Sequence, residues 1–384
     1  MTEAARSPAF LSDPALLAVL DALPGARIVG GAVRDAIAGL AVADVDLATP
    51  SPPDEVTRAL AAAGLRTVPT GIDHGTVTAI ADHRGFEVTT LRRDVETDGR
   101  HAVVAYTTDW RDDASRRDFT INAMSMSRAG EVFDYFAGRD DLKAGRIRFV
   151  GDPAARIAED YLRVLRFFRF YARYGMQTPD ATTLAAIGGG VEGLGRLSPE
   201  RVWSELKRIL AAPAPDGALA LMRRLGVLAA VLPEIQEQGA AELDTLPADP
   251  ILRLAALAPA NVERLADRLR LAGSEHDRLA ALLGPALPAE ASDDELRRAL
   301  ADTPGDILAD RARLARRGPS LIRRIVAMPV PVFPLQGRDL QAEGVEAGPE
   351  MGRLLRDLRA IWLASGCTAD ARTLRGELAA LRSR

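Results

Sequence analysis

The strand-like pattern of this sequence stops at Asp152-Pro153 and does not return. Upstream of that point, short runs rich in β-branched residues alternate with glycine turns. ARIVG (26–30) and VADVDLAT (42–49) read as strands, GTVTAIAD (75–82) and GFEVTTLRR (85–93) read as a hairpin, and EVFDYFAG (131–138) and RIRFVG (146–151) are later strand candidates. SPPDEVTRALAAAG (51–64) carries helix start and stop signals and reads as a helix between strands. From about residue 154 to 384 helical periodicity prevails, interrupted by a glycine-rich joint at 186–196 and by breaks at 211–217, 246–250 and 327–337. This division predicts an α+β N-terminal head, a small mixed sheet with helices, followed by an all-α neck, body and tail. The head is placed at 1–150, the neck at 151–215, the body at 216–330 and the tail at 331–384.

Composition narrows the function classes. No run approaches the ~18 apolar residues of a membrane span, and the N-terminus lacks the basic and apolar segments of a signal peptide. The single Cys367 excludes an intramolecular disulfide framework and cysteine-based zinc sites. Only four histidines are present (His74, His83, His101, His276), which disfavours histidine-rich metal chemistry. These features suit a reducing, cytoplasmic setting. With 49 basic and 53 acidic residues the net charge is −4, which argues against wholesale electrostatic binding of nucleic acid but leaves room for a local basic groove. Fourteen of the 18 aromatic residues fall between Phe86 and Tyr174, so the chemically diverse part of the chain is its first half.

Within that half, several clusters carry chemistry. Gly30-Gly31-Ala32-Val33-Arg34-Asp35 follows a predicted strand. Glycines at a strand-to-helix turn let backbone N–H groups approach a phosphate, and Arg34 is placed to hold one of its oxygens, although a plain tight turn has the same sequence. In Asp44-Val45-Asp46, read as strand, both carboxylates share a face. Two such groups repel unless they share a divalent cation, with oxygen ligands favouring Mg²⁺ or Mn²⁺; solvated loop acids are the alternative. Glu87 interrupts a neighbouring strand between Phe86 and Val88 and is a candidate third carboxylate of a two-metal clamp, or part of a polar outer face shared with Thr89. Arg116-Arg117-Asp118 offers guanidinium groups for triphosphate oxygens and a carboxylate for a ribose hydroxyl, or a capped helix start.

The segment from Glu159 to Phe170 reads as one helix. Tyr161, Val164, Leu165 and Phe168 form its buried stripe, while Asp160, Arg163, Arg166 and Arg169 step around the opposite half. A solvated face with ion pairs fits this spacing. Phe167 and Phe170 lie among the arginines, a mixture that suits base stacking and phosphate contact.

These clusters occur together and in order, and the chain resembles the class II tRNA nucleotidyltransferase/poly(A) polymerase family. The resemblance rests on GGAVRDAIAGLAVADVDLAT (30–49), FEVTTLRRD (86–94), RRDFTINAM (116–124), EDYLRVLRFFRF (159–170) and SPERVWSELKRIL (198–210), with GRDLQAEGVEAGPEMGRLL (337–355) similar to the family's C-terminal element. It implies a catalytic head and an RNA-binding tail. It implies that Asp44 and Asp46 are metal-binding catalytic carboxylates with Glu87 as the third, that Gly31, Arg34 and Arg117 contact nucleotide, and that Asp118 lies near the ribose. Asp160 and Arg163 correspond to the pair that reads the base, Arg166 and Arg169 to further nucleotide contacts, and Glu200 and Arg201 to a motif that braces the neck. Arg173-Tyr174-Gly175-Met176 departs from the apolar pair that the family more often has around this glycine.

Base chemistry agrees with the implied readout. Cytosine and adenine each present an exocyclic amine beside a ring-nitrogen acceptor, which a carboxylate and a guanidinium complement; uracil and guanine present the reverse. The implied reaction is attack of an RNA 3′-hydroxyl on the α-phosphorus of CTP or ATP with two-metal assistance and loss of pyrophosphate. The expected partners are the tRNA 3′ end, CTP and ATP, with no membrane and no obligate protein partner. Three other readings stay open: a bacterial poly(A) polymerase, a partial CC- or A-adding enzyme, and a non-catalytic RNA-binding protein. A long loop within 94–113 disfavours CC-only addition, the short C-terminal tail without a basic extension favours CCA addition, and the intact carboxylates disfavour the binding protein. His276-Asp277 stands alone and reads as a surface pair rather than part of a hydrolase site.

Overall fold

The computed structural model describes residues 8–72, 75–97, 102–235, 242–257 and 261–382, without the side chains of 94–97 and 102–104. His74, His101 and the tip of the expected 94–113 loop at 98–101 lie outside the described residues. The chain divides into two compact units, Met1–Glu234 with Arg268–Arg270, and Ile235–Asp267 with Leu271–Arg384.

The first unit holds the sheet. Its strands are β1 (Arg27–Val29), β2 (Asp46–Thr49), β3 (Arg66–Gly71), β4 (Thr76–Ala81), β5 (Arg84–Thr90), β6 (Arg92–Thr97), β7 (Ala102–Tyr106), β8 (Met124–Met126) and β9 (Val132–Asp134). Seven of them form one mixed sheet in the order β3-β4-β5-β2-β1-β8-β9, and β6 with β7 forms a separate hairpin. Only β2 and β5 run parallel. The β4–β5 hairpin turns on Asp82 and His83, whose φ values of 48° and 59° give the left-handed turn that matches strand twist. Helices α1 (Pro14–Ala22) and α3 (Pro53–Ala62) cover the β3–β5 side, burying Leu16, Val19, Val56 and Leu60 against it. Helix α2 (Gly31–Ile37) follows β1 directly, and α4 (Trp110–Ser115) and α5 (Gly138–Ala144) complete the head.

Helices α6 (Pro153–Glu159), α7 (Leu162–Tyr174), α8 (Ala181–Gly189), α9 (Pro199–Leu210), α10 (Asp216–Arg224) and α11 (Val227–Val231) follow, with no strand among the described residues after β9. Helix α7 packs on α9, and its aromatic face is anchored on the head: Phe119 stacks on Phe149 at 4.7 Å and meets Phe170 at 5.2 Å, and Phe149 lies 6.0 Å from Phe167. Each such buried ring contributes about 1.5–3 kcal/mol, so this cluster holds α7 firmly against the strand ends.

The second unit is helical, and apolar clusters hold parts of it together. One joins Leu296, Leu300, Leu308, Leu321 and Ile325; another joins Leu340, Leu354, Leu358, Trp362 and Leu374. Among the described residues no helix is long and apolar enough to cross a membrane.

Four local expectations need correction. VADVDLAT is strand only from Asp46, leaving Asp44 in the irregular segment before it. RIRFVG forms no strand, only a single bridge from Phe149 to Phe119. The glycine-rich joint at 186–196 is mostly helical, because α8 runs to Gly189 and a 3₁₀ segment spans Val191–Arg196. The helix expected from Glu159 onward is two helices, broken at Asp160, whose φ of −156° is extended.

Candidate active site

Strand register assembles the carboxylates. Val29 pairs with Asp46, and Leu47 pairs with Val88, so Asp46 sits beside the Gly30-Gly31 turn on one flank and beside Glu87 on the other. Glu87 is exposed between buried Phe86 and Val88, as alternation requires. Burial raises the Asp46 carboxyl above the ordinary range, the negative charges of Glu87 and Asp44 add to the rise, and Arg117 partly offsets it.

The Gly30-Gly31 turn has a steric reason. Gly30 has a φ of 67°, and a Cβ there would stand 3.0 Å from Arg117 Nη1. A side chain would therefore strain the backbone and make the Arg117 guanidinium shift by a few tenths of an ångström.

The cavity is about 620 Å³ in volume. It is lined by Gly31, Arg34, Asp46, Arg117, Asp118, Asp160, Arg163, Arg166 and Arg169, nine of the eleven residues singled out in the sequence. Asp44 and Glu87 do not line it, but both act electrostatically on Asp46 at its edge. Phe170, expected among the arginines for base stacking, lines it too, as do Asn122, Arg201 and Arg208, which were not singled out as ligand contacts. Seven arginines against three aspartates give the lining an excess of positive charge, which suits a polyanion.

Most of these guanidinium groups are held by carboxylates. Asp118 is buried, yet Arg166, the amide of Asn122 (3.1 Å) and the backbone N–H of Phe119 (2.9 Å) hold its carboxyl below the ordinary range. Arg166 in turn donates to Asp118 Oδ2 through Nε at 2.6 Å. Glu205 on α9, 4% exposed, lies 3.2 Å from Arg169 Nε. Asp113 under the turn binds Arg116 at 2.8 Å and Arg117 at 3.2 Å, so Arg116 braces this support and does not reach the cavity.

The break at Asp160 also has a physical cause. Its Oδ1 accepts from Leu162 N at 3.1 Å, a local bond that competes with helix continuation, and its Oδ2 accepts from Arg201 Nη2 at 2.6 Å. Arg163 donates to the Arg156 carbonyl at 2.9 Å and to Glu159. Asp160 and Arg163 therefore reach the cavity from different elements, each fixed by its own partner. Phe167 does not join them: it is fully buried in the aromatic cluster, while Phe170 alone lines the cavity. Glu205 and Asn122 carried no local signal, because their roles depend on partners distant in sequence.

The open carboxylates fit a hard divalent cation. Asp44 and Asp46 offer oxygen donors, and Asp46 is raised by desolvation and by neighbouring negative charge, the second of which a cation would relieve. Among the described residues no three such side chains converge as a closed cage. An open set of one or two carboxylates completed by substrate phosphates is the arrangement Mg²⁺ ordinarily takes.

Comparison with known proteins identifies the family. Residues 26–148 match the family model described as Poly A polymerase head domain, and residues 178–238 match that described as Probable RNA and SrmB- binding site of polymerase A. Over 376 residues the chain is 39% identical to CCA tRNA nucleotidyltransferase 1, mitochondrial, of Danio rerio, covering 88% of this chain and 83% of that protein. The Homo sapiens protein of the same name is 38% identical over 366 residues, with the same coverage. The crystal structure of Bacillus stearothermophilus CCA-adding enzyme in complex with CTP matches with a TM-score of 0.75 at 25% identity, covering 91% of this chain and 92% of that one. Fold, site and relatives define a nucleotidyltransferase. The chain belongs to the class II tRNA nucleotidyltransferase/poly(A) polymerase family.

Proposed function

We propose that this enzyme adds or repairs the 3′-terminal CCA of tRNA, taking CTP and ATP as substrates. The observation that carries the reading is a single cavity in which the Asp46 edge meets Asp160, Arg163 and a wall of arginines. Arg117, Arg166 and Arg169 bind the triphosphate, with Arg34 and the Gly30-Gly31 turn beside them. Asp118 holds Arg166 in place and lies near the ribose. Asp160 accepts from the exocyclic amine of cytosine or adenine, and Arg163 donates to the ring nitrogen. Uracil and guanine would leave both groups opposed to like partners, so they are refused. Two divalent cations, Mg²⁺ or Mn²⁺, held at Asp44 and Asp46 with Glu87 beside them, would supply activation of the RNA 3′-hydroxyl and charge neutralisation on the triphosphate. The 3′-oxygen bonds to the α-phosphorus and pyrophosphate leaves.

The same reading makes 151–215 a base-selecting neck, 216–330 a body and 331–384 an RNA-binding tail, in a reducing, cytoplasmic compartment. The relatives in complex with CTP or named for CCA addition support CCA addition over untemplated A tailing. The test is extension of three tRNAs ending before CCA, after C and after CC, each given CTP, ATP or both. Growth to CCA followed by arrest is expected; a long A-only ladder would move the assignment to poly(A) polymerase, and no incorporation would overturn it.

A further inference from the structure

Arg34 is the only guanidinium of the cavity that α2 supplies, and three side chains from separate elements fix its orientation. Its Nε donates to Asp35 Oδ1 at 3.0 Å and to the Tyr174 hydroxyl at 2.9 Å, while its Nη1 donates to Asn122 Oδ1 at 2.5 Å. The Tyr174 hydroxyl donates in turn to Asp35 Oδ1, closing a triangle. The guanidinium also lies 4.9 Å from the Tyr174 ring centroid and 5.0 Å from that of Phe170. The remaining Nη2 has no partner among the described residues, and a Cβ on Gly31 would stand 3.5 Å from it. The one donor group left unused thus faces the glycine turn.

Tyr174 itself does not line this cavity. It lines a second one of about 760 Å³, together with Ile37, Leu40 and Met176. We propose that Tyr174 is a positioning residue for nucleotide binding: with Asp35 it clamps Arg34, so that Nη2 is presented to the triphosphate beside Gly31. The inference rests on the nucleotide-binding reading above. Without the hydroxyl, Nε keeps only Asp35, and the guanidinium gains freedom to turn out of the glycine cradle. Burial holds the phenol above its ordinary pKa, so it stays a protonated donor to Asp35 across the neutral range.

The test is a double-mutant cycle on binding of CTP and ATP, read by calorimetry with the full chain, alongside single-nucleotide extension of tRNA. Tyr174→Phe keeps the ring and is expected to weaken triphosphate binding about five- to tenfold, raising KM rather than lowering kcat. Arg34→Ala is expected to weaken it more, and adding Tyr174→Phe to Arg34→Ala should cost nothing further. Asp35→Asn provides a second route and should show the same dependence on Arg34. Equal losses from Tyr174→Phe with and without Arg34, or no loss at all, would overturn the proposal while leaving the nucleotide site intact. Wild-type protein that bound no triphosphate would overturn the parent reading and this inference with it. Wild-type protein that bound triphosphate but extended no RNA would remove the transfer reading alone, leaving the Tyr174 cycle to be scored on binding.

Discussion

On the sheet side of the cavity, Asp44, Asp46 and Glu87 make no ion pair among the described residues, and Asp46 is raised by desolvation and then by its acidic neighbours. On the helical side, every carboxylate holds at least one arginine: Asp160 holds Arg201, Glu159 holds Arg156 and Arg163, and Glu205 holds Arg169. The two walls are built from the same residue types but solve opposite problems. Unbalanced charge on the sheet side costs folding energy and is retained where a cation would bind. Balanced charge on the helical side aims guanidinium groups without leaving them to turn freely, which is what ligand recognition requires.

The two walls should differ most at Asp46. Replacing Asp46 with Ala should lower transfer at least about a hundredfold, a loss of the size seen when an electrostatic group at a reacting centre is removed. Thermal stability should hold or rise slightly, because a destabilised charge is removed; a large fall in melting temperature would show that Asp46 is structural. The converse holds for Asp118. Asp118→Ala leaves Arg166 without its buried partner and should destabilise the protein by about 3 kcal/mol, measurable by denaturant titration.

Acid should separate the walls as well. Asp46 is raised, so protons compete with a cation there above the ordinary carboxylate range. Asp113 and Asp118 are lowered, because their arginine partners outweigh the cost of burial. Their stabilisation is present above the unfolded value of about 3.9 and is lost only as pH falls through the depressed folded values. Activity should therefore disappear on acidification before the fold does, and added Mg²⁺ should move the activity limb to lower pH. Coincident loss of activity and fold would contradict the distinction. The smallest effect should come from outside the cavity. His276 meets the exposed carboxylates of Glu263 at 3.0 Å and Asp277 at 3.5 Å, and His276→Ala should change stability by less than about 1 kcal/mol and leave extension rates alone.

What could be read from the sequence follows the same division. Asp46, Glu87, Arg117 and Arg163 could be picked out because their residue types break a local pattern: an acid in a strand, paired arginines beside an aspartate, a charged stripe opposite an apolar one. The fold class was legible from the loss of alternation at Asp152. Strand limits were not: Asp44 falls outside β2 although the VADVDLAT pattern continues through it, since pairing partners rather than alternation decide where a strand begins. The break at Asp160 was hidden because helical spacing continues across it, and only the carboxylate's bonds to Leu162 and Arg201 reveal it. Phe167 looked available for stacking because period alone does not tell a buried aromatic face from a ligand face. Glu205, Asn122 and Tyr174 act on partners 36 to 140 residues away, and no local signal marks such pairs.

In the proposed function, chemistry resides on the sheet wall and base choice on the helical wall. The direct measurement is the rate of CTP and UTP incorporation into tRNA lacking CCA, compared for wild type, Asp46→Ala and Asp160→Ala. Asp46→Ala is expected to lose CTP incorporation while still binding CTP, and Asp160→Ala to keep measurable incorporation but narrow the CTP/UTP ratio at least about tenfold. An unchanged ratio in Asp160→Ala, or retained turnover in Asp46→Ala, would contradict this division.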